Sequence, residues 1–322
     1  MVARERLRRA LSAWIDTSAA SDSTATGIDW LRVLPFLAVH VMCACVLFVG
    51  ISPVAVAVAI GLYVVRMFAI TAFFHRYFGH RAFKTSRAIQ FLFAALAATS
   101  AQRGPLWWAS HHRAHHRHAD TEEDAHSPDQ KGFWWSHLGW FLSRENFSVR
   151  WRYVRDLERY PELRFLDRFD VLMPALLAGS LFGLGAALER FAPSLGTSGP
   201  QMLIWGFFIS TVVLYHATFC INSLAHRMGS RRFETRDASR NNWALALLTL
   251  GEGWHNNHHR FPAAARQGFR WWEIDVTYHV LRIFAAIGLI WDLKPVPRQV
   301  LEEAEPSSRR LAAARVSRED VA

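Results

Sequence analysis

The sequence predicts an all-α membrane protein: four transmembrane helices under a cytoplasmic helical cap that holds a histidine-rich di-metal site. Three observations lead there. Long apolar runs alternate with charged, Trp-rich and His-rich stretches, the distribution of a membrane protein with a sizeable aqueous part. The short connections inside each pair of runs, Ile51 to Pro53 and Arg190 to Pro200, hold one basic residue, Arg190. Most of the 16 histidines stand at the ends of the runs or between them.

The elements follow in order. Residues 1–32 read as a basic amphipathic stretch, suited to an anionic leaflet, followed by a Ser/Thr/Ala-rich flexible connector. No continuous apolar core precedes a small-residue cleavage site, so the start is not a secretory signal. Spans are expected at about 33–50, 54–74, 171–188 and 201–221, each long enough to cross a bilayer at the helical rise per residue. Arg66 inside the second span reads as a side chain that snorkels or faces the bundle interior. Ala88 to Ala101 is too short to cross, and Tyr278 to Trp291 reads as a surface-lying helix. The domain ends near residue 297, and 298–322 reads as a charged, mobile tail. Four crossings place every histidine cluster on the side that receives the basic N-terminus, the Arg-rich centre and the C-terminal third. By the positive-inside rule that side is cytoplasmic.

A net charge of +10 raises nucleic acid as a partner. The basic residues flank apolar spans and form no recognition motif, so that reading is set aside. Cys43, Cys45 and Cys220 all fall in apolar runs and make no disulfide framework.

Three clusters carry the chemistry. His112, His115 and His116 form an H-x-x-H-H set, and His255, His258 and His259 form a second. On a helix, residues three and four apart lie on one face, so each set should present a narrow stripe of imidazole. His75 and His80 stand five apart where the second span ends. That offset turns them off one α-helical face, so they serve different metals or the helix unwinds between them. Eight imidazoles exceed what one ion can take, and neutral imidazole suits iron, copper, zinc and nickel. A metal centre above four apolar helices suggests an alkyl substrate. Its methylenes carry no acidic proton, so hydrogen removal needs an oxidant from the metal centre. Single histidines in apolar context (His40, His216, His279) read as boundary residues, and His126 and His137 as structural hydrogen-bonders.

As an ordered set, His75-Arg-x-x-x-His80, His112-Arg-Ala-His-His116, Asn222-Ser-x-x-His226 and Glu252-Gly-x-His-Asn-x-His-His-x-Phe-Pro262 resemble the membrane fatty-acid desaturases of the stearoyl-CoA desaturase type. Gly132-Phe-Trp-Trp-Ser-His-Leu-Gly-Trp140 and Arg270-Trp271 extend the likeness, which covers about residues 51–296. The resemblance implies a mushroom-shaped fold and two Fe ions. It assigns as ligands His75, His80, His112, His115, His116, His226, His255, His258 and His259, with Asn222 acting through water. His226 and Asn222 come from the resemblance alone. It implies that O2 and two electrons turn a saturated methylene pair into a cis double bond, at delta-9 in this branch. Trp108, Ser110, His111 and Trp254 are expected beside the substrate or behind the ligands, and His118 behind the ligands. Ser110 and His111 replace the Arg-Asp pair that helps hold the thioester in the acyl-CoA branch, which leaves acyl-CoA and a membrane lipid both open as carriers.

No haem or flavin domain fits after Arg298, so electrons are expected from a separate ferredoxin-like or small haem-cytochrome donor with its NAD(P)H reductase, docking on the basic face. The expected location is a bacterial inner membrane, with N-terminus, histidine boxes and C-terminus cytoplasmic. The competing readings are a di-iron hydroxylase of the same superfamily and a histidine-lined metal transporter, which would set its ligands in mid-span along a path.

Overall fold

The computed structural model describes Arg8, residues 11–19 and residues 26–303. Four helices in it are long and apolar enough to cross a membrane: α1 (Trp30–Val49), α2 (Pro53–Gly79), α6 (Leu172–Phe191) and α7 (Gly199–Ser223). Three of the four, α1, α2 and α7, start at a side-chain cap, from Asp29, Ser52 and Ser198. The Asp29 carboxylate accepts the Arg32 N–H at 3.4 Å, and Ser52 Oγ accepts the Ala55 N–H at 3.4 Å with Pro53 in the first turn. A side-chain acceptor there satisfies one of the backbone donors that a helix start leaves unpaired. α7 packs on both α2 and α6. At the far end of the bundle Gln201 and Trp205 donate to the carbonyls of Val49 and Gly50, at 2.9 and 3.0 Å, closing the two short connections together.

The outside of the bundle is apolar. Leu47, Phe48 and Phe191 are 82, 87 and 83% exposed, a surface that lipid rather than water would cover. Arg66 turns inward: it is fully buried in α2 and donates to Ser210 Oγ at 2.6 Å and Thr211 Oγ1 at 2.8 Å on α7. Neutral hydroxyls satisfy its donors where water is absent.

At the other end lies the cap. The two short apolar segments are helices α3 (Arg87–Ala98) and α10 (Val276–Ala286), neither long enough to span. Between them come α4 (Pro105–His118), α5 (Pro161–Arg168), α8 (Trp243–Leu248) and α9 (His255–Arg260). Lys84–Thr85 pairs antiparallel with Ile290–Trp291, fastening the exit of α2 to the chain after α10.

At both ends of the domain the described residues make contacts. At the start of the connector Asp16 pairs with Arg168 at 2.7 Å and Thr17 Oγ1 donates to the Asp167 carbonyl at 3.0 Å. The charged tail opens as a helix, α11 (Arg298–Glu303), whose Val300 is buried with Phe233 and Phe269 and whose Glu303 pairs with Arg260. Of the amphipathic N-terminus only Arg8 and residues 11–15 are described; the rest of that stretch, residues 20–25 and residues 304–322 lie outside the described residues.

Candidate metal centre

α4 carries the second histidine box, and its start is held firmly. Gly104 precedes Pro105, and a Cβ at Gly104 would collide with Asp167. That close approach lets the Asp167 carboxylate accept the N–H groups of Leu106 and Trp107 at 3.0 and 2.8 Å. In α9 the two asparagines between the histidines are scaffold. Asn256 Oδ1 accepts the N–H groups of Arg232 and Phe233 at 2.8 Å each, and Asn257 bridges Asn241, Gln267 and Glu273.

These elements bring nine histidines together in two groups. Ring nitrogens of His75, His80, His112, His116 and His258 lie within 4.8 Å of one another, and so do those of His115, His226, His255 and His259. Each H-x-x-H-H box is therefore divided, where a single stripe was expected. Steps of three and four residues rotate about −60° and +40° around a helix, so His115 and His116 diverge to opposite sides of His112. His112 and His116 join the first group and His115 the second. In α9 the split reverses, with His258 in the first group and His255 and His259 in the second. Each box thus contributes to both groups, and the rings of His116 and His259 meet between them with centroids 4.5 Å apart.

His75 and His80 share the first group, because the helix winds more loosely between them. The last ten residues of α2, Ile70–Gly79, wind as a π-helix. With hydrogen bonds five residues apart, residues 75 and 80 return to nearly the same face. Their ring centroids are 5.0 Å apart.

Four carboxylates orient the rings. Nδ1 of His115, His226 and His259 lies 2.9 Å from Asp124, Asp120 and Asp237 respectively, and Nδ1 of His75 meets Glu252. Glu252 and Asp275 in turn enclose the fully buried Arg76. A proton held on Nδ1 leaves the Nε2 lone pair free for a metal. Burial and then neighbouring imidazoles hold His80, His112, His116, His255 and His258 well below the usual histidine range, so their rings are neutral at pH 7. For Asp124, burial pushes the carboxyl up, but facing His115 outweighs it and takes it below the ordinary range; Asp237 is lowered in the same way by His259. Asp120, Asp124 and Asp237 were not expected from the sequence. Asp120-x-x-x-Asp124, two residues beyond His118, is the one local signal for them.

Within each group the Nε2 atoms face each other at close range. His75 to His258 is 3.0 Å, His258 to His116 2.9 Å, His80 to His112 2.6 Å and His226 to His255 3.1 Å. Lone pairs opposed at this distance repel unless a cation lies between them. An ion with M–N bonds of about 2.1 Å at right angles would set neighbouring nitrogens about 3.0 Å apart. His259 Nε2 is buried with no hydrogen-bond partner. The donor set fits two metal ions.

Two cavities meet this centre. The smaller, about 50 Å³, is lined by Asn222, His115, His226, His255 and Trp108 and has room for water. The larger, about 390 Å³, touches His112, Asn222 and Trp108 and reaches Val39, Ala178 and Phe207 on the transmembrane helices. His111 lines it, with Nε2 3.1 Å from the Ser148 carbonyl. Ser110 and Trp254 line neither cavity. Ser110 Oγ donates to the Trp107 carbonyl at 2.9 Å and accepts the Arg150 N–H at 3.1 Å; Trp254 Nε1 donates to the Ile274 carbonyl at 2.9 Å.

A sequence model of fatty acid desaturases matches residues 50–289, the stretch that contains both histidine groups. The chain belongs to the fatty acid desaturase family. It is 36% identical over 277 residues to an sn-1 stearoyl-lipid 9-desaturase of Anabaena variabilis, covering 84% of this chain and 96% of that one. It is 40% identical over 244 residues to a chloroplastic palmitoyl-monogalactosyldiacylglycerol delta-7 desaturase of Arabidopsis thaliana, covering 74% of this chain and 62% of that one. It is 40% identical over 229 residues to an icosanoyl-CoA 5-desaturase of Limnanthes douglasii, covering 70 and 60%. The match thus spans about three fifths of the two plant relatives and nearly all of the cyanobacterial one. Family membership, four apolar helices and the divided histidine set agree on a membrane desaturase fold.

Proposed function

We propose that the chain is an oxygen-dependent fatty-acyl desaturase that introduces a cis double bond, at delta-9, into a saturated chain carried by CoA or a membrane lipid. One observation carries this reading: nine histidines grouped five and four beside an apolar cavity that runs from His112 into the membrane helices. Two Fe ions would be held by His75, His80, His112, His116 and His258 and by His115, His226, His255 and His259, with Asn222 reaching the second through a water in the small cavity. Bound there, the ion pair supplies the oxidising power that an unactivated methylene demands. The protein's part is positional. Glu252, Asp120, Asp124 and Asp237 fix ring orientation. The larger cavity selects which methylenes lie beside His112, and Trp108, stacked on His112 at 5.0 Å between centroids, closes the wall there.

O2, two electrons and two protons consume two hydrogens of the chain, leaving an alkene and two waters. The electrons come from a ferredoxin-like or small haem-cytochrome donor with its NAD(P)H reductase, and a net charge of +10 favours an acidic one. The connections Gly50–Ser52 and Ala192–Ser198 contain no Lys or Arg, which supports a cytoplasmic cap in a bacterial inner membrane. The test is expression in a host lacking unsaturated-fat synthesis, with fatty acids analysed separately in CoA and lipid pools. Loss of two hydrogens supports the reading; gain of one oxygen would make the chain a hydroxylase, and neither change would end the proposal.

A further inference from the structure

Apart from histidine, the charged residues on the wall of the larger cavity are Arg32, Arg103 and Asp170. Asp170 Oδ2 lies 3.1 Å from Arg103 Nε, and Arg103 Nη2 donates to the Phe147 carbonyl at 2.8 Å. Those two charges cancel. Arg32 is different. Asp170 and Asp29 attract its guanidinium, but among the described residues neither lies within ion-pair distance and no side-chain hydrogen bond holds it; one Nη is buried without a partner, and the group sits 4.1 Å over the Phe147 ring. The other acids nearby are engaged. Asp29 caps α1 and faces Arg144 at 3.6 Å, and Asp167 holds the start of α4. Arg150, the next cation, donates to Asn146 Oδ1 at 2.8 Å.

Arg32 is half-buried, and its unpartnered Nη is a donor that an anion entering the cavity can meet. An arginine that only anchored α1 at the interface would turn its head to the surface; Arg32 instead lines the cavity that reaches His112. It is the third residue of α1, at the end of the bundle that carries the cap, where lipid phosphates lie.

We propose that Arg32 binds the phosphodiester of an acyl-glycerophospholipid, so that the site reads what the acyl chain is attached to. Arginine suits this by offering a planar, always-charged fork of donors. In a glycerophospholipid the phosphate is one glycerol unit from the ester, close enough for one cavity to take both. In acyl-CoA the first phosphate lies a whole pantetheine arm away. This rests on the desaturase reading and adds the carrier's chemical class to it.

The test uses the full-length, iron-loaded protein and its R32Q and R32K variants in nanodiscs, supplied with sn-1-stearoyl phosphatidylglycerol, sn-1-stearoyl monogalactosyldiacylglycerol or stearoyl-CoA. R32Q should lower the kcat/KM ratio of phosphatidylglycerol to galactolipid about tenfold, through KM rather than kcat, with R32K recovering part of it. An equal fall with galactolipid or with stearoyl-CoA, or no fall at all, would overturn the proposal. If no carrier yields an alkene, the desaturase reading fails on its own. The anchor is then judged by quenching of cavity tryptophan fluorescence with dibromostearoyl phosphatidylglycerol, whose binding R32Q should weaken about tenfold relative to the brominated galactolipid.

Discussion

The backbone N–H of His80 donates to the carbonyl of His75 across 3.2 Å, so two members of the five-histidine group are joined by one π-type hydrogen bond. The winding also brings Gly79 against His112, where a Cβ would stand 2.9 Å from Cδ2 of that ring. A methyl group there must push His112 aside. Gly79→Ala should therefore retain the fold but reduce turnover roughly tenfold or more, since sub-ångström displacement of a reacting group is costly. Activity of purified protein alongside its circular dichroism checks this; a fully active G79A would show that His112 has slack.

The carboxylates behind the second group give an independent handle. Asp237 accepts from His259 Nδ1 and from the Ser239 N–H, at 2.9 and 3.0 Å. Asp237→Asn keeps the shape but removes the charge that holds the ring's proton. Iron retention after a chelator challenge should fall about 10- to 100-fold, while Glu122→Gln, exposed on the loop that carries Asp120 and Asp124, should leave it unchanged. Equal retention in both would mean that Asp237 does not orient a ligand.

Asp167 predicts a pH dependence. Burial pushes its carboxyl up from 3.8 to about 7, against the opposing pull of the Trp107 N–H. Between those values the folded chain keeps a proton that the unfolded chain has released. Stability from this group is thus complete below pH 3.8 and declines as pH rises through about 7. The full loss is on the order of 4 kcal/mol. Asp167→Asn retains an acceptor for α4 without the buried charge. Thermal unfolding in detergent should show the variant gaining on the wild type at about pH 8 relative to about pH 5.5. A constant difference across pH would refute the assignment.

Much of this was readable in advance, for a physical reason. Hydrophobic length fixes a membrane span, so 33–50 and 54–74 fell within a few residues of Trp30–Val49 and Pro53–Gly79. The boxes were legible as a candidate metal site because imidazoles at helical spacing converge, and the structure groups them at distances that fit one. What stayed hidden depends on packing. Local spacing cannot show that α2 changes to π winding at Ile70, nor that His115 and His116 diverge to different groups. Asp237 arrives from a loop 22 residues before His259, with no periodicity to announce it. His226 was found only through a family resemblance for the same reason.

The larger cavity sets the last prediction. It begins beside His112 and ends among Val39 of α1, Ala178 of α6 and Phe207 of α7, and the rest of its transmembrane wall is mostly apolar. A saturated chain threaded from the metal centre would place its methyl end there, so the distance to that end decides how many carbons fit. Ala178→Phe adds a ring to the wall at the deep end. One methylene too many in an apolar pocket costs roughly 1–3 kcal/mol, so two should move the kcat/KM ratio of palmitoyl to stearoyl substrates upward by at least about tenfold. Products of the variant and the wild type, compared by chain length in one competition assay, give that ratio directly. A variant that lost activity equally on both chains would show that the methyl end lies elsewhere, because a uniform loss reports damage to the fold or the metal centre rather than a shortened channel.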